Sequence, residues 1–234
     1  MNYGTLYAND NWNYNLAKSA TTVDDDAYQR YARNQDIKVN MWEGSMIFEL
    51  TPRRFNPESK AAQHRGQPYV MGGIGAFHFR PKSTYVNRAT GVSTLVDIYD
   101  LNLEAQGVKD VGGAPPKYSL WQLEVPLGLG YRWDIGNHLS LGVEYLWRMT
   151  MTDYLDGVSD KYVDPNIFTL ALTPDKAAIA KDMYDKSWLV GQPAHAAGEK
   201  RGNKSNNDSY STFSITFAYK IKSLRHPWWG VGYQ

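Results

Sequence analysis

Between Leu139 and Met151 the odd positions are all large and apolar: Leu139, Leu141, Val143, Tyr145, Trp147, Met149 and Met151. The even positions from His138 to Thr152 are mostly small or polar and include Ser140, Gly142, Glu144, Arg148 and Thr150. Alternation with a period of two predicts a strand with two chemically different faces. The preceding stretch repeats it, with Trp121, Leu123, Val125, Leu127, Leu129, Tyr131, Trp133 and Ile135 against Gln122, Glu124, Pro126, Gly128, Gly130, Arg132 and Asp134. Gly136-Asn137 joins the two as a hairpin turn. The stretch 211–222 has the same form, with Phe213, Ile215, Phe217, Tyr219 and Ile221 on one face and Lys220 on the other.

Weaker patterns mark three further strands. Residues 68–81 place Tyr69, Met71, Phe77 and Phe79 on one face and His78 and Arg80 on the other. Residues 36–50 alternate through Ile37, Val39 and Met41 and then change parity to Met46, Phe48 and Leu50, which predicts a bulge near Trp42–Gly44. A short strand opens the chain at "NYGTLYA". The connections alternate between long (9–35, 82–118, 155–209) and shorter (52–67, 136–137). The last long one holds a short helix at "TPDKAAIAKDMYDK", with Thr173 as N-cap and Pro174 at its first position. The Gly- and Asn-rich "GEKRGNKSNNDS" after it reads as a mobile tip.

Two all-β architectures alternate in this way, a soluble sandwich and a membrane barrel. Sandwich strands average about 5–6 residues, whereas 120–135 and 138–152 are far longer. Large residues stay on one face while glycine and charge gather on the other, as lipid and lumen require. Trp121 and Trp133 share a face twelve residues apart. At about 3.3 Å per residue and a tilt of roughly 40°, they span about 30 Å, the depth of a hydrocarbon core. Tyr145 with Trp147, Tyr69 with Phe77 and Phe79, and Phe213 with Tyr219 are expected to extend these aromatic belts.

The fold expected is therefore all-β, an antiparallel up-and-down transmembrane β-barrel over residues 1–223, followed by a periplasmic tail at 224–234. About six strands are visible in a protein expected to have about eight. The N-terminus "MNYGTLYAND" has neither a basic nor an apolar leader region. A lost signal peptide and two lost N-terminal strands are the expected explanation.

Composition changes this picture little. Lys and Arg total 25 against 24 Asp and Glu, and the basic residues are scattered, which argues against a nucleic-acid partner. Cysteine is absent, which excludes disulfides, thiol nucleophiles and thiolate metal sites. No apolar run is long enough for a membrane helix. A mean hydropathy of -0.53 fits a barrel with polar loops as well as a water-soluble protein.

The even-numbered ionisable groups are expected to face the lumen, and an eight-stranded barrel is just wide enough for its own side chains. Paired charges that fill the interior are therefore preferred to an open pore. Glu124 with Arg148, and Glu144 with Arg132, are the candidate pairs; His78, Arg80, Asp134 and Lys220 point the same way.

Asp153, Asp156, Asp160 and Asp164 can serve as hard-cation ligands or as turn caps. Their spacing lacks the pattern of a known calcium loop, so turn caps are preferred. No nucleophile elbow surrounds Ser159 or Ser211, and no catalytic residue, cofactor or metal is assigned. Arg53, Arg54 and Phe55 at the turn 51–67, and Trp228 and Trp229 on the tail, are candidate partner contacts. Interfacial anchoring is the alternative role for the two tryptophans.

"PYVMGGIGAFHFRP", "YSLWQLEVPLGLGYRW" and "LSLGVEYLWRMTMTDYLDGVSDKYVDP" follow one another in order, and the chain resembles the PorG-like outer-membrane barrels of the type IX secretion system from about residue 36 to 222. The most specific part is R-x-T-x-T-D-Y-L-D-x-V-S-x-x-Y-x-D at Arg148–Asp164. The resemblance implies a small non-enzymatic barrel in the cell outer membrane, surrounded by lipid and linked to the periplasmic ring of PorK and PorN. A small channel or adhesion barrel, and an outer-membrane lipid-modifying enzyme, are the alternatives.

Overall fold

The computed structural model describes residues 1–52, 66–109, 114–135 and 139–219. The chain is mostly β, a seven-stranded antiparallel sheet accompanied by short helices. The strands are β1 (Asn2–Asn9), β2 (Asp36–Leu50), β3 (Gly66–Val86), β4 (Ser93–Asp97), β5 (Trp121–Ile135), β6 (Leu139–Thr150) and β7 (Ser209–Tyr219). Their order is β1-β2-β3-β5-β6-β7, with β4 paired to β3. Each expected strand is present, and β4 is an addition inside a connection read as loop. Among the described residues no helix is long and apolar enough to cross a membrane.

Two compact units share the chain, and several strands contribute to both. One unit comprises Met1–Gly44, Ala76–Glu124 and Thr150–Asp208, and holds all the helices found among the described residues. It is called the loop unit below. The other comprises Ser45–Gly75, Val125–Met149 and the chain from Ser209, and is called the strand unit.

The loop unit has an ordinary apolar core. Ile37, Val39, Met41, Phe77, Phe79, Leu101, Leu103, Leu155, Val158 and Phe168 are all buried. Helix α4 (Pro174–Met183), which follows the short α3 (Asn166–Ala171), starts where the sequence places it, with Pro174 at its first position, and buries Ala177, Ala180 and Met183 on one face. In α2 (Asp26–Arg33) the Asp25 carboxylate accepts the Ala27 N–H at 2.9 Å, and Asn34 ends the helix in the left-handed region at φ 51°. Neither α2 nor α1 (Tyr14–Ala17) is apparent in the hydrophobic pattern of 9–35.

The strand unit inverts this arrangement. Leu127, Leu129, Trp133 and Ile135 on β5, Tyr145 and Trp147 on β6, and Phe213, Ile215, Phe217 and Tyr219 on β7 are exposed, while Ser140 and Arg148 are buried. The register between β6 and β7 is continuous, from Leu139 opposite Tyr219 to Met149 opposite Ser209. Large residues of one strand therefore stand beside large residues of the next, as with Val143 and Ile215. Tyr69 is buried and fills the space that Gly130 leaves. A Cβ on Gly130 would lie 2.2 Å from the Tyr69 ring, so a larger residue there must displace it.

Two expectations about the strands are corrected. The first is the bulge at Trp42–Gly44. Strand β2 runs unbroken, its register with β1 holds from Asp36 opposite Asn9 to Glu43 opposite Asn2, and Ile37, Val39, Met41 and Glu43 are buried in phase. Parity does not change through Glu43. Before Gly44 the apolar residues are on the buried side, and after it Met46, Phe48 and Leu50 are on the exposed side.

The second correction concerns Tyr69, Phe77 and Phe79, expected in aromatic belts on the lipid side. All three are buried, with Phe77 and Phe79 packed at a centroid distance of 5.6 Å. The exposed apolar residues of β3 are Val70 and Ile74. His78 and Arg80 share their parity, not that of the buried Phe77 and Phe79. His78 meets Trp121 edge-on at 5.2 Å, and Arg80 reaches Asp97 and Asp100. The alternation identifies residues that share a face but not which face is inside.

Candidate functional site

The ionisable residues of the strand unit form a network around Tyr69. Its hydroxyl donates to Glu144 at 2.7 Å, and the Arg132 guanidinium lies over its ring at 4.8 Å. Arg132 Nη2 donates to Glu49 at 3.0 Å. Glu144 and Arg132, expected as a direct pair, thus meet through Tyr69, with Glu49 as the carboxylate on Arg132. Arg148 is buried, donates to Thr212 Oγ1 at 2.7 Å and lies over the Tyr210 ring. Glu124, on β5 at the end of the loop unit's share of that strand, is buried at 1% exposure. Ser140 donates to Asp134 at 2.6 Å. Arg132 and Glu49 remain about a third exposed, whereas Arg148 and Glu124 are buried, and buried charges are tolerated only when held by other polar groups.

Arg53, Arg54, Phe55, Trp228 and Trp229 lie outside the described residues, as do Gly136-Asn137 and Lys220.

In the segment Arg148–Asp164, most of the residues that mark it as distinctive have a definite structural role. Thr150 Oγ1 donates to backbone carbonyls of Thr152 and Asp208, and Thr152 Oγ1 accepts the Tyr154 N–H. Tyr154 stacks on Tyr118 at 4.4 Å. Asp156 accepts the Val158 N–H at 2.9 Å, and Asp164 accepts the Asn166 N–H at 2.9 Å. These are the turn caps that short carboxylates make. Gly157 has φ +73°, and a Cβ there would lie 2.3 Å from Ile98, so both conformation and space require glycine.

The segment is held from behind by residues that sequence reasoning did not single out. Glu104 is buried and accepts the N–H groups of Ser159 and Asp160 at 2.9 and 3.0 Å. It also pairs with Arg201 at 2.7 Å, both side chains being 1% exposed. Arg201 lies in the stretch expected to be a mobile tip, which instead carries a buried anchor. Arg33 makes a two-pronged pair with Asp10 at 2.7 and 2.8 Å and donates to the Arg201 carbonyl. Lys186 is buried against Asp36 and Ser83. Partners separated by 97 and 150 residues leave no local signal in the sequence. The only hint is charge placed in segments otherwise read as loop.

A cavity of about 860 Å³ opens within the loop unit. Its lining comes from α2, from Asp153–Tyr162 and from Gln192–Asp208, and includes Asp153, Asp156, Tyr162, His195, Arg201 and Asp208. His195 stacks on Tyr162 at 4.2 Å and is held through Nδ1 by Asp185 at 3.1 Å. Burial pushes Asp153 up to about 7, and the nearby Asp156 and Glu104 charges add to it. Asp208 is pushed up to about 7 by burial and then by Asp156. Asp156 is raised by burial against the pull of Arg33. Among the described residues no group of three or more His, Asp or Glu side chains converges as metal ligands.

Compared with family models, with curated proteins and with solved structures, the chain has no match.

Proposed function

We propose that this protein is a non-enzymatic outer-membrane β-barrel of about eight strands, a PorG-like component of type IX secretion that associates with the periplasmic PorK/PorN ring. One observation carries the membrane reading: on β5, β6 and β7 the strand unit exposes most of its large apolar side chains, while Arg148 is buried and Arg132, Asp134 and Glu144 are only partly exposed. In water each exposed apolar side chain would forgo about 1.5–3 kcal/mol that burial returns. In lipid the same face is the stable one; β1 and β7 are the edges of the described sheet, so a barrel of about eight strands needs further strands to pair their backbone groups. Trp121, Trp133, Tyr145 and Trp147 are all exposed, as interfacial belts require.

The link to the secretion machinery rests on the Arg148–Asp164 pattern. Arg53, Arg54, Phe55, Trp228 and Trp229 remain the partner contacts to test. The barrel predicts heat-modifiable migration in gels and insolubility without detergent; a monomer soluble without detergent would refute it. For the partner, the chain lacking residues 224–234 is expressed in its native host and the ring proteins are recovered with it. A clear drop in recovery is expected, and undiminished recovery removes the tail from the interface.

A further inference from the structure

On the face of the loop unit's sheet turned away from its core, two lysines stand together without an acid. The Thr84 N–H and hydroxyl donate to the Asp36 carboxylate at 3.0 and 2.6 Å. Strands β2 and β3 are antiparallel neighbours, so two residues further along each strand Lys38 and Lys82 fall side by side. Both lie opposite the core face, since Ile37, Val39, Pro81 and Ser83 are buried and the two lysines are not.

Like charges set across two strands repel, and the nearby carboxylates are already engaged. Asp36 is taken by Lys186 and Thr84. Asp97, the β4 residue opposite Lys82, is taken by Arg80, which also reaches Asp100. Lys38 lies over the Tyr7 ring at 5.3 Å, and neither lysine has a carboxylate partner among the described residues. The pair therefore calls for an anion from outside the chain.

The same face says which kind. Four residues along each strand from the lysines the chemistry turns aromatic. Trp42 on β2 is exposed and packs on Tyr3 at a centroid distance of 4.7 Å. His78 on β3 meets Trp121, itself 65% exposed. A small soluble anion leaves this aromatic row in water. A lipid serves both rows, with acyl chains beside the tryptophans and a charged headgroup beside the lysines. Four residues span about 13 Å of strand, roughly 10 Å of depth at a tilt of about 40°. The headgroup layer is about 5–8 Å deep in each leaflet, and a lysine's flexible stem covers the difference.

We infer that this face binds the headgroup of an anionic, phosphate-bearing lipid. Lys38 and Lys82 hold the phosphate, and Trp42 and Trp121 mark where the acyl chains begin. The inference rests on the membrane reading above.

The test inserts the full chain into phosphatidylcholine vesicles that carry an equal minor fraction of brominated phosphatidylglycerol or brominated phosphatidylcholine. Quenching of tryptophan fluorescence then reports which lipid the chain prefers. Stronger quenching by the anionic lipid is expected. Lys38→Gln and Lys82→Gln should each lower that preference about fivefold, whereas Lys200→Gln, exposed on another segment, should leave it unchanged. Equal quenching in an inserted chain overturns the inference and leaves the membrane reading standing; a chain that enters neither vesicle overturns both. An undiminished preference in the Lys38→Gln/Lys82→Gln double variant also overturns it. So does an equal loss in Lys200→Gln, or a preference that millimolar inorganic phosphate abolishes at constant ionic strength.

Discussion

The two units use the same local pattern to opposite ends. In the loop unit, alternate residues of β2 and β3 place Ile37, Val39, Met41, Phe77 and Phe79 inside. In the strand unit, alternate residues of β5, β6 and β7 place leucine, tryptophan and phenylalanine outside, with Arg148 and Tyr69 inside. Strand β2 contains both arrangements, and its register with β1 is regular from Asp36 to Glu43. A strand is thus indifferent to which face is apolar, and its surroundings decide. A core bordered by water selects apolar residues inward, whereas a bilayer selects them outward.

The largest expected effect tests the loop unit. Glu104→Ala removes the acceptor for two backbone N–H groups and leaves Arg201 charged and buried. Breaking a buried pair in this way costs about 3–5 kcal/mol. Hydrogen exchange should rise together over 153–162 and 198–208. A change limited to position 104 would mean that the long connections do not form one packed body.

The next tests the strand unit. Leu129 lies mid-strand on the exposed face of β5. Leu129→Arg should cost about 2–4 kcal/mol if that face meets the middle of a bilayer. If the face meets water, a surface substitution changes stability by about 0.5 kcal/mol or less. Denaturant unfolding in lipid vesicles distinguishes the two, and the smaller value would erase the contrast between the units.

The smallest effect concerns the acidic cavity. Asp153 and Asp208 are held near 7 in the folded chain, against an ordinary value of 3.8. Between those values the folded state keeps protons that the unfolded chain has released. Their contribution therefore falls as pH rises from about 4 to about 7 and is flat above. Asp208→Asn removes its share of that loss. Allowing for solvent screening, it should stabilise the loop unit by about 1 kcal/mol at pH 8 and leave it unchanged near pH 4. Melting at the two values measures this; an equal shift at both would separate the effect from the carboxylate's charge.

Much of the sheet was legible in the sequence. The strands at 121–135, 139–150 and 209–219 follow from period-two runs too long to be anything else, and Pro174 located α4 because it suits a first helical turn. The turn-capping role of Asp156 and Asp164 was legible too, since it depends on residues only two positions away. The candidate site was not. Glu104, Arg201, Arg33 and Asp10 carry their meaning only in pairs that distant segments bring together, and β4, α1 and α2 sit in stretches with no clean apolar period.

By itself the sequence determined where the strands run, because backbone geometry forces neighbouring side chains to opposite faces. It also determined which residues share each face. Only the tertiary structure decided which face is inside, as Phe77, Phe79 and Tyr69 show. It alone brought buried carboxylates and guanidinium groups into pairs, because burial and long-range pairing are properties of assembled segments.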